Sequence, residues 1–418
     1  MQNNNLIEKL RNVVVLLGPG IMMATAAVGG SHLVASTQSG ALYGWQLLWV
    51  IALVNLLKYP FFRAGVQYTL ATGNSLVQGY DQMGRGYLLL FTVLAIISGV
   101  INIAALTIFS ANLLTYFLPF QIHILVLSVI ILIVCLVILL CGHYKALDGI
   151  SKVIMLSLTI ATIAAVWVAF GNEPAKTAEF KSPSIFSLNA LGFIVIMMGW
   201  MPAPIEISSV TSLWLKSQMR LKKVTNKSAL LDFNIGYFVT AVLALFFLAL
   251  GALVLHGNGE EMQTTGVGFT AQLISLYAST IGEWSRNLIA VIAFFCIFGS
   301  TITVIDGYAR SVSEASRLFQ NKPEECRKSH QLWMASLSAF GVVVLVFFTS
   351  HLMEMLEFAM IMAFMTTPIF AWLNYKLMFK SQATGVLALG KKLNLLCIIG
   401  LIYLFGFLAV FIWWKWLS

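Results

Sequence analysis

The sequence predicts an all-α polytopic membrane protein of about eleven transmembrane helices, built as two inverted repeats of five helices in which helices 1 and 6 are broken. Three observations predict it. Hydrophobic residues make up 59% of the 418 residues and charged residues only 10%, far below the charge of a soluble domain. Apolar runs of about 18 residues or more recur along the chain, each long enough to cross a hydrocarbon core of about 30 Å. Two of these runs are interrupted in the middle by small residues and prolines, and each opens one half of the chain.

In order, the spans are read at 12–38, 42–66, 87–116, 122–141, 151–171, 188–215, 229–256, 286–312, 332–350, 353–378 and 394–416. The first apolar run, Val13 to Leu33, is interrupted at Gly29-Gly30-Ser31-His32, where the glycines add nothing to helix stability. Four continuous spans follow, up to the polar loop Gly171 to Ser187. The sixth, Leu188 to Leu215, is interrupted at Pro202-Ala203-Pro204. Proline removes a helical donor and clashes with the preceding turn. Four more continuous spans complete the second half. The chain therefore reads as one transmembrane domain, residues 1–418, with a first repeat over 12–171, a second over 188–378 and an extra helix at 394–416. Because five is odd, the second half enters the membrane in the opposite orientation. Between the seventh and eighth spans, Phe269 to Tyr277 is an amphipathic stretch expected on the outer surface. Trp413-Trp414-Lys415-Trp416 is an interfacial anchor.

Freed backbone groups in lipid cost several kcal/mol each unless something polar meets them. Two breaks in corresponding places point to a cavity or a bound solute, and paired broken helices are the sequence mark of a secondary transporter's binding site.

The net charge of +9 needs no nucleic acid or acidic partner. With the N-terminus cytoplasmic, the inner side holds nearly all the Lys and Arg, and only Lys176, Lys181, Arg286 and Lys415 fall outside. That is the positive-inside pattern of a multi-pass protein of the plasma or inner membrane, with the C-terminus on the outer side. The inner set counted here includes Lys58 and Arg63, and its densest part is Lys216 to Lys227. The lipid bilayer is the implied surroundings, and no obligatory protein partner is implied. The short polar start, Met1 to Arg11, runs straight into the first span without a cleavable signal. Cys135, Cys141, Cys296, Cys326 and Cys397 show no CxxC spacing, so neither a disulfide frame nor a zinc site is indicated. No nucleotide-binding loop, GxSxG elbow or HExxH pair occurs, and an enzyme is not expected.

Gly18-Pro19-Gly20, followed after ten residues by Ser31-His32 and then by Ser39-Gly40-Ala41-Leu42-Tyr43-Gly44-Trp45-Gln46-Leu47-Leu48-Trp49-Val50, resembles the Nramp family of metal-ion transporters. In that family a GPG start leads into a broken first helix with a DPGN motif and an AGA-x-FGY-x-LLWV-like passage. Ser110-Ala111-Asn112-Leu113-Leu114, Ser300-Thr301-Ile302-Thr303 and the order of spans are similar too. The resemblance implies a LeuT-like inverted-repeat fold and secondary transport by alternating access. Aligned on the GPG start, the DPGN positions are Gly29, Gly30, Ser31 and His32, so the family's metal-binding carboxylate is missing. The family's MPHN passage falls on Met201, Pro202, Ala203 and Pro204, which keeps the thioether and loses the histidine. The family's acidic positions in the third span are Ile103 and Val100 here.

These departures leave two readings of the substrate. The first is a small organic solute, with a carboxylate met by the half-helix N-termini, Ser31 and His32. The substrate-binding set is then Gly29, Gly30, Ser31, His32, Ala203, Pro204 and Glu206. The alternative is a divalent metal cation of the Mn or Mg type, held by His32, Met201, Glu206 and backbone carbonyls, with Glu206 supplying the charge a divalent ion needs. Glu206, a carboxylate near mid-membrane, is functional by default; the competing reading is a cap on the second half-helix. Ser300, Thr301 and Thr303 form a hydroxyl cluster suited to a coupling Na⁺, or else bond to their own helix turn. Asp306 is a second acid for coupling, or the partner of Arg310 four residues on. Beyond a coupling Na⁺ or H⁺, no cofactor is implied.

Overall fold

The computed structural model describes residues 18–142, 144–171, 180–221, 223–259, 263, 265–323, 326–348, 351–381 and 385–416. The expected start of the first span, with Lys9, Arg11, Lys176 and Lys222, lies outside them. Among the described residues the regular elements are helices, with no strand. The first span is α1 (Pro19–Ala27), a π-helical turn (Ser31–Ser36) and α2 (Thr37–Tyr43). There follow α3 (Leu48–Thr72), a short α4 (Leu76–Met83), α5 (Arg85–Thr115), α6 (Ile124–Leu140) and α7 (Tyr144–Phe170). The sixth span is α8 (Leu188–Trp200) and α9 (Ile207–Leu221). The rest are α10 (Asn226–Val254), α11 (Gly266–Ile281), α12 (Arg286–Phe319), α13 (Arg327–Val346), α14 (Leu352–Lys380) and α15 (Lys391–Trp416). Among the described residues eight helical segments are long and apolar enough to cross a membrane, and Ile124–Leu140 and Ala190–Trp200 are shorter apolar ones. The architecture is the expected inverted repeat with helices 1 and 6 broken.

The breaks differ in extent from the sequence reading. At the first, only Val28 and Gly29 leave the helix, and the chain winds again from Gly30, so His32 sits inside the wide π-helical turn. Glycine permits a break without forcing it. The second break is wider, Met201 to Glu206, because Pro202 and Pro204 both lack a backbone donor. Glu206 is therefore the last unwound residue, directly before α9.

Two further features escape the hydropathy reading. Helix α4 begins with a capping box, in which Ser75 and Gln78 bond each other's backbone N–H. Its Tyr80 donates to Asn374 of α14, and Lys216 of α9 bonds its Gln78, so α4 ties these two spans together. Lys58, counted above with the inner charges, is instead fully buried in the middle of α3.

Helix α10 fastens the first span. A Cβ on Gly40 would lie 2.0 Å from the Leu248 carbonyl oxygen, and one on Gly251 2.1 Å from that of Thr37, so only glycine lets these backbones touch. At the other end, Asp232 of α10 accepts from the N–H of Gly18 at 3.1 Å and of Gly20 at 2.8 Å. A carboxylate there satisfies orphan donors and complements the dipole of α1, whose first residue is Pro19. Helix α12 packs on α5, α9 on α3 and α14 on α8, which brings the two breaks together at the centre of the bundle.

Candidate functional site

The two breaks meet directly. The Ser31 hydroxyl lies 3.3 Å from the carbonyl oxygen of Pro202, linking the first break to the second. Beside them is a cavity of about 30 Å³ lined by Ala26, Ala27, Gly30, Ser31, Asn102, Leu106, Trp200, Ala203, Pro204, Ile207, Val304 and Tyr308. It has room for an ion or about two waters. The wall is mostly apolar and carries no ionisable carboxylate. Its polar groups are the Ser31 hydroxyl, the Asn102 amide, the Tyr308 phenol and the Trp200 indole. The indole N–H is buried and has no hydrogen-bond partner among the described residues. Gly30 makes room for this ring: a Cβ there would lie 2.5 Å from Trp200 Cζ3.

Of the expected substrate-binding residues, Gly30, Ser31, Ala203 and Pro204 line the cavity. Gly29 faces α12, where a Cβ would meet Ser300 Oγ at 3.0 Å. The His32 ring is turned onto α10. Its Nε2 lies 2.9 Å from the Thr240 carbonyl oxygen, which can only accept, so Nε2 carries the proton. Nδ1, 2.7 Å from the Ser31 hydroxyl, is then the acceptor. Both ring nitrogens are occupied by the protein, and the ring stands edge-on to Phe247.

Glu206 is buried one bond behind the cavity wall. Its Oε1 accepts from the Tyr308 hydroxyl at 2.9 Å, and Oε2 has no hydrogen-bond partner among the described residues. Tyr308 in turn lies 3.4 Å from the Asn102 amide nitrogen, which also donates to the Ser98 carbonyl at 2.8 Å. Asn102, Tyr308 and Glu206 thus form a polar relay from the cavity into the bundle. Sequence reasoning missed the first two. The signal was the pair Ser98 and Asn102, four residues apart on one face of an apolar span. Val100 and Ile103, the matched family positions, lie instead against Gly341 of α13.

The hydroxyl cluster of α12 divides. Ser300 Oγ sits among the carbonyl oxygens of Thr25 (3.2 Å), Val28 (3.5 Å) and Cys296 (3.1 Å), so it touches the first break. Thr301 bonds Ser110 of α5 at 3.0 Å, and Thr303 bonds Gly299 in its own turn at 2.8 Å. Asp306 is paired with Arg310 at 2.8 Å, with His330 Nε2 3.4 Å away. The ligands of the metal reading are also separated by their partners. Met201 is buried outside the cavity lining with Sδ 4.0 Å from Ser36, His32 is held by Ser31 and Thr240, and Glu206 by Tyr308. Among the described residues no three His, Cys, Asp or Glu side chains are grouped to hold a metal ion.

One cation does reach the breaks. Lys58 Nζ donates to the carbonyls of Met198 at 2.5 Å and Gly199 at 3.3 Å, in the last turn of α8. The signal for it was in the sequence, since a lysine inside a span is expensive and by default functional.

The model of the natural resistance-associated macrophage protein-like family matches residues 20–414. An uncharacterized protein of Pasteurella multocida is 50% identical over 399 residues, 95% of this chain and 91% of its own length. The divalent metal cation transporter MntH of Acidiphilium cryptum is 29% identical over 68 residues, 16% of each chain. Among solved structures, a mutant of the Eremococcus coleocola manganese transporter superposes with a TM-score of 0.71 at 14% identity, covering 96% of this chain and 87% of that one. The same transporter in complex with an aromatic bis-isothiourea compound gives 0.68, also at 14% identity, over 96% of this chain and 86% of that one. At that identity the likeness concerns the fold. The chain belongs to the Nramp family of membrane transporters.

Proposed function

We propose that the protein is a secondary active transporter of a small organic solute bearing a carboxylate, moved by alternating access and driven by a Na⁺ or H⁺ gradient. In this reading it lies in the plasma or inner membrane with the N-terminus cytoplasmic. The observation that carries the substrate class is the cavity wall. It is lined by Ser31, Asn102, Tyr308 and the Trp200 ring among apolar side chains, and it holds no carboxylate to repel an anion. A mostly apolar pocket with a few placed polar groups is the usual form of an organic-solute site. Such a solute requires the two breaks to separate beyond the volume of about 30 Å³ present in this conformation.

A second reading, transport of a divalent metal cation through His32, Met201, Glu206 and carbonyls, is favoured by the likeness to manganese transporters and by the ion-sized cavity. It requires those three side chains to leave their present partners and converge.

The test is a thermal-shift titration of the purified full chain in detergent with Mn²⁺, Mg²⁺ and small monocarboxylates, each with and without Na⁺. A ligand that binds only the folded state stabilises it by about 2.7 kcal/mol at a hundred times its dissociation constant. Saturable stabilisation by a carboxylate, lost in Asn102→Ala, is expected. Saturable stabilisation by Mn²⁺ that is lost in Glu206→Gln, with no carboxylate response, overturns the organic reading in favour of the metal.

A further inference from the structure

We propose that the Lys58 ammonium is a built-in monovalent cation, held at the carbonyl end of the second break in the place a bound ion would otherwise take. The argument starts from proline. In a continuous helix the Met198 carbonyl would accept from the N–H of residue 202, and Pro202 has none. The Gly199 carbonyl loses its partner too, since the chain leaves the helix at Met201. Open carbonyls at a helix C-terminus carry partial negative charge and attract cations. In transporters with broken helices, such carbonyls coordinate the coupling ion. Here Lys58 Nζ reaches both, at 2.5 and 3.3 Å, from a side chain with no solvent exposure.

A buried ammonium is costly unless paired and hydrogen-bonded. These two carbonyls provide the bonds. Carbonyls of the first break lie beside protein donors as well: the Ser300 hydroxyl is 3.2 Å from that of Thr25, and Cys296 Sγ is 3.2 Å from that of Val28. At each break, then, open carbonyls are met by the protein's own side chains. A free monovalent cation is not needed to hold the second break in this conformation.

The inference deepens the reading of the breaks as a transport site and rests on it, but its test uses no solute. The purified full chain is melted in NaCl, KCl and choline chloride at equal ionic strength, and Lys58→Ala and Lys58→Met are melted alongside with added ammonium or methylammonium. The salts are also compared in Ser300→Ala, which removes the hydroxyl a coupling ion would use at the first break, and that variant is expected to melt at the same temperature in all three. Lys58→Ala is expected to melt lower and to regain more than half of the loss with ammonium or methylammonium but not choline. Lys58→Met, which fills the space, is expected to stay low. Saturable stabilisation of Ser300→Ala by Na⁺ overturns the proposal, as does a Lys58→Ala variant that no small cation restores. If Lys58→Ala does not fold, the salt comparison in Ser300→Ala decides. Failure of the solute assignment would appear only in the carboxylate and Mn²⁺ titrations, so the two outcomes are separable.

Discussion

Replacing Tyr308 by phenylalanine removes one oxygen and with it the hydrogen bond to the Glu206 carboxyl. The tyrosine donates to Oε1 at 2.9 Å, and Oε2 has no other hydrogen-bond partner among the described residues. Glu206 is 2% exposed, so water does not take over the lost bond. The ring stays, so packing is kept, and the loss is that of a hydrogen bond to a stranded buried acceptor, about 1–3 kcal/mol. The Asn102 contact at 3.4 Å is long and adds little. In thermal unfolding of the purified full chain this corresponds to a fall of roughly 1–3 °C. A double-mutant cycle locates the effect. Glu206→Met removes the acceptor at similar volume, and Tyr308→Phe in that background should cost little, giving a coupling energy of about 1 kcal/mol or more. An unchanged melting temperature, or the same loss in both backgrounds, would refute the relay.

Three other substitutions separate the site from its supports. Gly30→Ala places a Cβ 2.5 Å from the Trp200 ring, so the indole must shift; stabilisation by the titrated carboxylate or Mn²⁺ should weaken at least about tenfold, read as the shift in the midpoint of the titration. His32→Ala removes a buried ring bonded at both nitrogens and packed on Phe247, and should cost about 1–3 kcal/mol in melting while leaving the ligand midpoint in place; a ligand-specific loss with normal stability would return His32 to the binding set. Asp232→Ala removes both acceptors at the start of α1 and should cost about 2–4 kcal/mol, with no effect on which ligand stabilises; a neutral result would mean that α1 is held by α10 packing alone.

The sequence by itself determined the class of fold. Hydropathy counts residues, and eleven apolar stretches with two broken ones survive any rearrangement of side chains. The prolines at 202 and 204 also fixed the second break, because a missing N–H is a local property. The Gly18-Pro19-Gly20 start and its following motif carried the family. The placing of individual polar side chains was decided only by the tertiary structure, because it depends on which helix each one faces. His32 and Ser31 are adjacent in the chain, yet Ser31 lines the cavity and His32 bonds α10. Ser300 meets the first break while Thr301, one residue on, meets α5. Lys58 counted as a topology charge until the turn of α8 was seen to lie against it. Asn102 and Tyr308, from different spans, became a relay to Glu206 only once α5 and α12 were packed together. Periodicity tells which residues share a face of one helix, but the neighbour that face meets is set by the packing of the whole bundle.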